Sequence, residues 1–115
     1  MIRIEGYSPG HMTVNGQKYD KDLKIIGDRV IAEWWRNRDH RLDVDDVKDI
    51  LSPGIDLLVV GTGYAENMRV EKGLQSLMRK ENITLIAQDT HTAVKTFNRL
   101  RGEGKDAAGA FHLTC

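Results

Sequence analysis

Ile55-Asp56-Leu57-Leu58-Val59-Val60-Gly61-Thr62-Gly63 is a short, almost unbroken apolar run that stops at Gly-Thr-Gly. A run of this length, closed by turn residues, has the pattern of a strand buried on both faces, as in a parallel sheet covered by helices. Gly61 and Gly63 let the chain turn without a Cβ penalty and let another group approach the backbone closely. The mouth of this strand is therefore the first place to look for a functional site.

Working downstream, Val70, Leu74, Leu77 and Met78 recur at helical spacing and predict a helix that ends near Glu81-Asn82. Ile83-Thr84-Leu85-Ile86-Ala87 predicts a second buried strand, closed by Gln88-Asp89. A further helix from Thr90 to Leu100 carries Ala93, Val94, Phe97 and Leu100 on one face, with Asp89 or Thr90 as its cap and Gly102-Glu103-Gly104 as its stop. Ala107-Ala108-Gly109-Ala110-Phe111-His112-Leu113 predicts a last strand whose small residues suit close packing against a helix.

Working upstream, Asp43 is placed to cap a helix bearing Val44, Val47, Ile50 and Leu51, which Ser52-Pro53-Gly54 ends. Before it, residues 2–35 read as β structure. Asn15-Gly16 and Gly27-Asp28 mark two hairpins, because these residues tolerate the positive φ of tight turns. The hairpins predict a meander lying against the main sheet. Alternating helices and strands imply right-handed crossovers and a parallel core. No internal repeat, linker or low-complexity tract divides residues 1–115, so a single domain is expected.

Composition excludes several classes of function. The 17 basic and 17 acidic residues balance, which leaves no bulk field to hold nucleic acid or an anionic membrane. The longest apolar run is far short of the ~20 residues a spanning helix needs, and the N-terminus lacks a signal-peptide core. Cys115 is the only cysteine, so no intrachain disulfide forms, in agreement with a reducing, cytoplasmic setting. The dispersed histidines His11, His40, His91 and His112 show no local zinc-binding spacing, and no metal or cofactor is expected.

Ligands of open parallel sheets bind beyond the carboxyl ends of the strands. Two polar clusters arrive there: Gly61-Thr62-Gly63, and Gln88-Asp89-Thr90 with His91 in the following turn. Gly61, Thr62, Gly63, Asp89, Thr90 and His91 are thus the candidate ligand-binding residues, as a small polar pocket with hydroxyls, a carboxylate and free helix N–H groups. A dinucleotide fingerprint is excluded, because Glu66 stands at the third glycine position and would repel a pyrophosphate. No phosphate loop and no nucleophile elbow follows either, so no catalytic residues are assigned. A second candidate surface is Trp35, Arg36 and Arg38, where an aromatic ring adjoins an arginine-rich loop fit for a protein partner. Trp34 and Trp35, adjacent in the chain, should point to opposite faces.

Leu58-Val59-Val60-Gly61-Thr62-Gly63, followed by Asp89-Thr90, Ala93, Thr96-Phe97-Asn98, Leu100, Glu103-Gly104-Lys105 and Ala107-Ala108-Gly109, resembles a small domain family. That family is shared by a mitochondrial complex I assembly factor and an adipogenesis-associated protein. In these residues and in its hairpins the chain looks like the stand-alone prokaryotic members, those of archaeal methanogens in particular. The resemblance implies a three-layer β+α/β/α fold with a roughly four-stranded, mainly parallel sheet and N-terminal antiparallel hairpins. It also implies a binding or assembly role without an assigned activity. The alternative is a small-anion binder or enzyme using Thr62, Asp89, Thr90 and His91. The resemblance draws attention to Asn98, a poor helix former whose buried amide is expected to hold the Gly61–Gly63 loop or the last strand.

Overall fold

The computed structural model describes residues 2–36, 40–51 and 54–115. Its centre is a five-stranded sheet. The quoted apolar run forms strand β7 (Leu57–Thr62) and the last predicted strand forms β10 (Ala107–His112). They pair in parallel with Val59 opposite Gly109 and Thr62 opposite His112. Both strands are covered on both faces, which is why each reads as apolar without alternation. Strand β9 (Thr84–Gln88) adds in parallel on the far side of β7. It is an edge strand with Thr84 and Ala87 exposed, and so less buried than its composition implied.

The other side of β10 is closed by a hairpin. Strand β4 (Leu23–Ile26) runs antiparallel to β10, and β5 (Arg29–Ile31) runs antiparallel to β4 around Gly27, where φ is +58°. The spatial order is β5-β4-β10-β7-β9, so every strand but β4 runs the same way. The sheet is thus mainly parallel but wider than the expected four strands, because the second hairpin joins it instead of lying over it. The first hairpin does lie over it: β1 (Ile4–Ser8), β2 (His11–Val14) and β3 (Gln17–Tyr19) form a separate antiparallel sheet.

Among the described residues, two helices and a 3-10 segment complete the layers. Helix α2 (Thr90–Gly102) packs with β1–β3 on one face of the central sheet, around Phe97, Phe111, Ile4, Met12 and Leu113. Helix α1 (Lys72–Lys80) and the segment Val44–Ile50 cover the other face, around Trp34, Leu58, Val60, Leu74 and Met78. Close approach of α2 explains Gly109 in β10, while Ala108 and Ala110 face the other layer. A Cβ on Gly109 would strike the Phe111 ring and come within 3.2 Å of Phe97.

Three expectations are corrected. The segment after Asp43 is a 3-10 helix with a non-helical Val47 (φ −127°, ψ 17°), not an α-helix. Asp43 does cap it, accepting from the Asp45 N–H at 3.0 Å while its own N–H reaches Asp46 at 2.9 Å. The Leu51 N–H closes an i→i+3 bond on the Lys48 carbonyl at 3.2 Å, and the buried Lys24 ammonium ties the segment to β4 through the Asp46 carbonyl at 3.1 Å and both Asp49 carboxylate oxygens at 2.7 and 2.9 Å. Second, Val70 belongs to a short strand β8 (Arg69–Val70) paired in parallel with β6 (Arg41–Leu42), and α1 starts after it. Third, Asn98 holds neither the Gly61–Gly63 loop nor the last strand. Its amide acts as a peptide unit toward Ile4, accepting the Ile4 N–H at 3.0 Å and donating to the Ile4 carbonyl at 2.7 Å. Residues Ser52 and Pro53, read as the helix stop, lie outside the described residues.

Candidate functional site

The carboxyl ends of β7, β9 and β10 are tied together by Thr90. Its hydroxyl accepts the Gly63 N–H at 2.8 Å and donates to the His112 carbonyl at 2.6 Å, while its own N–H donates to the Gly63 carbonyl at 3.1 Å. Thr62 donates its hydroxyl to the Gln88 carbonyl at 3.0 Å. Both threonines are buried. The glycines between them are required by crowding. A Cβ on Gly61 would lie 2.8 Å from the Thr90 hydroxyl and 3.0 Å from Phe111, and one on Gly63 (φ +107°) would run into the Cys115 carbonyl and the His112 ring.

The structure therefore brings Gly61, Thr62, Gly63 and Thr90 together, with both hydroxyls already bonded to backbone. Asp89 and His91 sit differently. Asp89 caps α2, accepting from the Thr92 N–H at 3.0 Å and the Thr92 hydroxyl at 2.7 Å, and those two bonds hold its carboxyl below the ordinary value. His91 is exposed in the first turn of α2.

A second polar cluster lies at the end of β10. Asp22, on the turn before β4, accepts the Leu113 N–H at 2.7 Å through Oδ1. Its Oδ2 takes the Arg36 guanidinium at 2.6 Å and lies 2.7 Å from Nδ1 of His112. Burial of Asp22 pushes its carboxyl up. The bonds from His112, the Leu113 N–H and Arg36, with the attraction of His112, outweigh that and leave it below the usual carboxylate range. Nδ1 of His112 lies 2.7 Å from Asp22 Oδ2 and 3.1 Å from the Arg36 guanidinium. With the proton of a neutral ring on Nδ1 toward the carboxylate, the shorter of the two contacts, the lone pair falls to Nε2. Among the described residues nothing meets that buried Nε2.

Arg36 also lies over the Trp34 ring, 5.0 Å from its centroid, and Lys24 lies over the same ring at 5.3 Å. Its side chain faces inward and is only 2% exposed, so of the predicted partner surface Arg36 serves the interior. Trp35 does the opposite and is 76% exposed, the outward partner of the buried Trp34. Arg38 lies outside the described residues. Trp35 stands on the wall of a cavity of ≈ 460 Å³, which Lys21, Asp22, Trp34, His112 and Thr114 also line. Tyr64, 64% exposed, is fixed at the same edge by its N–H to the Thr114 carbonyl at 2.6 Å.

Asp22, His40 and the pair His112 and Cys115 were missed in the sequence because they come from three separated segments, and His112-x-x-Cys115 alone is no recognised ligand motif. The one signal available was a histidine at the end of a buried strand, a position that needs a partner.

Central sheet, flanking layers and a polar network at the carboxyl edge define a small three-layer α/β domain. The chain belongs to the DUF498 family, described as a protein of unknown function (DUF498/DUF598), whose model matches residues 4–112. Over 93% of its length it is 33% identical to NADH dehydrogenase (ubiquinone) 1 alpha subcomplex assembly factor 3 of Xenopus tropicalis, of which it covers 58%. The Homo sapiens protein of the same name is 28% identical over 93% of the chain, and again 58% of that protein is covered. The chain thus spans little more than half of these relatives. Among solved structures, a conserved hypothetical protein of Pyrococcus horikoshii OT3 matches with a TM-score of 0.82 and 25% identity, covering 98% of this chain and 99% of that one.

Proposed function

We propose that this chain is a binding protein of the assembly-factor kind, holding a polypeptide partner at the carboxyl edge of its sheet through Trp35 and Tyr64. The observation that carries this reading is Trp35, whose indole is 76% exposed beside a cavity of ≈ 460 Å³. Exposed aromatic side chains beside a concavity are the usual anchors of protein interfaces. The relatives named as assembly factors lend the same reading support. In this reading Gly61, Thr62, Gly63 and Thr90 are the frame that holds the end of β7, from which Tyr64 follows. The small-anion alternative has less support, since the Thr62 and Thr90 hydroxyls already donate and the Asp89 carboxylate occupies the helix N-terminus an anion would seek.

A photo-crosslinking amino acid placed at Trp35 or at Tyr64 in native cells should yield one common protein adduct. The same probe at Lys95, exposed on α2, should yield none. Adducts that are absent, or identical at all three positions, rule the reading out. The two tryptophans also separate surface from core. Trp35→Ala should melt within about 3 °C of the parent, as exposed substitutions do. Trp34→Ala, by contrast, should cost about 3–5 kcal/mol by opening a cavity in the core.

A further inference from the structure

We infer that His40, His112 and Cys115 form a binding site for a transition-metal cation, zinc(II) being the ion their donor set fits best. One ligand atom from each of the three side chains lies within 4.8 Å of the others. His112 at the end of β10 and Cys115 stand three residues apart, and the fold brings His40, just before β6, to them. The site adjoins the proposed partner surface, since His112 also lines the Trp35 cavity, but does not depend on it.

His112 makes the group more than a chance meeting of exposed side chains. It is 2% exposed, and its Nε2 is without a hydrogen-bond partner among the described residues. A buried imidazole nitrogen left unpaired costs free energy unless something else satisfies it. The Cδ2 edge of the ring, beside Nε2, is the edge that faces Gly63 and the backbone of Cys115. The opposite nitrogen is bound to the Asp22 carboxylate at 2.7 Å. A carboxylate on the far nitrogen is the arrangement that orients a metal-bound histidine and raises its basicity. Asp22 is itself braced by the Leu113 N–H at 2.7 Å and by Arg36 at 2.6 Å.

The other two ligands sit on backbone that is tied down. The His40 carbonyl accepts the Arg69 N–H at 2.9 Å, and the Cys115 carbonyl accepts the Asn67 N–H at 3.0 Å. The two imidazoles lie edge to face with centroids 5.6 Å apart. Zinc bonds of about 2.0–2.3 Å in a tetrahedron place ligand atoms about 3.3–3.7 Å apart. Rotation of the exposed His40 and Cys115 side chains closes the remaining gap. Two imidazoles and a thiolate suit zinc(II), and three protein ligands leave a fourth position for water or an outside ligand. On binding, the Cys115 thiol releases its proton to solvent and the Nε2 lone pair of His112 becomes a bond to the metal.

The test uses purified, reduced, metal-free protein titrated with zinc(II), and with cobalt(II) as a coloured substitute. The site predicts one ion per chain, four-coordinate cobalt bands and a cobalt–thiolate charge-transfer band. Cys115→Ser and His40→Ala alter exposed side chains, so both should melt like the metal-free parent. Cys115→Ser should abolish the thiolate band, and each variant should lose most of the zinc affinity. Asp22→Asn, which changes a positioning residue, should keep the thiolate band while weakening zinc binding about 10–100-fold. No thiolate band in the parent, a band that survives Cys115→Ser, or equal zinc affinity in parent and His40→Ala would falsify the site. Unchanged affinity in Asp22→Asn overturns the orienting role of that carboxylate.

Discussion

Among single residues, Thr90 has the widest reach, because one hydroxyl and one N–H join three strand ends. It is fully buried, so the groups it bonds have no water to fall back on. Thr90→Val keeps the shape and removes the hydroxyl, leaving the Gly63 N–H and the His112 carbonyl unpaired by it. That should destabilise the fold by about 2–4 kcal/mol, as two buried groups left unsatisfied do. Thr90→Ser keeps the hydroxyl and loses only a methyl, at a cost of about 1 kcal/mol. Denaturant unfolding of both variants distinguishes them: a valine variant as stable as the serine variant would mean that the hydroxyl bonds carry no stability. The Thr-Gly pattern was readable in the sequence as a tight strand end. What the hydroxyls bind was not, since their acceptors on β9 and β10 are 26 and 22 residues away.

For single elements, helix α2 shows local sequence and final structure in agreement. Its cap, buried face and glycine-rich end were all legible, because capping and helical periodicity act within a few residues. The cap also carries a pH dependence. Hydrogen bonds from the Thr92 side chain and N–H hold the Asp89 carboxyl below its ordinary 3.8. A lowered folded value means that the contribution is complete above the ordinary carboxylate range and is lost as pH falls through the lower folded value. Asp89→Ala should therefore cost about 1 kcal/mol at neutral pH. The deficit should hold down to about pH 4 and shrink on further acidification, as the parent carboxylate protonates. Urea curves for parent and variant at neutral and acid pH check this, and a deficit that stays constant into acid would place the effect elsewhere. The segment Val44–Ile50 is the contrasting case. Its apolar spacing and its cap were legible and fit an α-helix equally well. The non-helical backbone at Val47, and the tie of Lys24 on β4 to the Asp46 carbonyl, belong to the tertiary structure and leave no mark on the spacing. Val70 was misplaced for the same reason, since only pairing with Leu42 makes it a strand.

Across the whole molecule, the central sheet was legible because β7 and β10 are covered on both faces and so announce themselves as apolar runs. The attachment of the N-terminal layer was not. Periodicity shows that β1 and β2 have an apolar side, but not which element receives it. Asn98 answers that, as it joins α2 to β1 across 94 residues of chain with a matched donor and acceptor. The apolar contacts of Ile4, Met12 and Val14 with the α2 layer bring the two together, and the amide fixes their alignment. Asn98→Ala should leave the apolar contacts in place and remove both bonds, costing about 1–3 kcal/mol. The loss should be unevenly spread, because local openings follow cooperative units rather than the whole chain. Amide hydrogen exchange should quicken at Ile4 and at the paired β2 residues, while Leu58–Val60 and Ala108–Ala110 change only as far as global stability falls. Equal acceleration in β7, β10 and β1 would show the N-terminal sheet to be inseparable from the core. Acceleration confined to β1 and β2 would make Asn98 the latch of a layer able to open on its own.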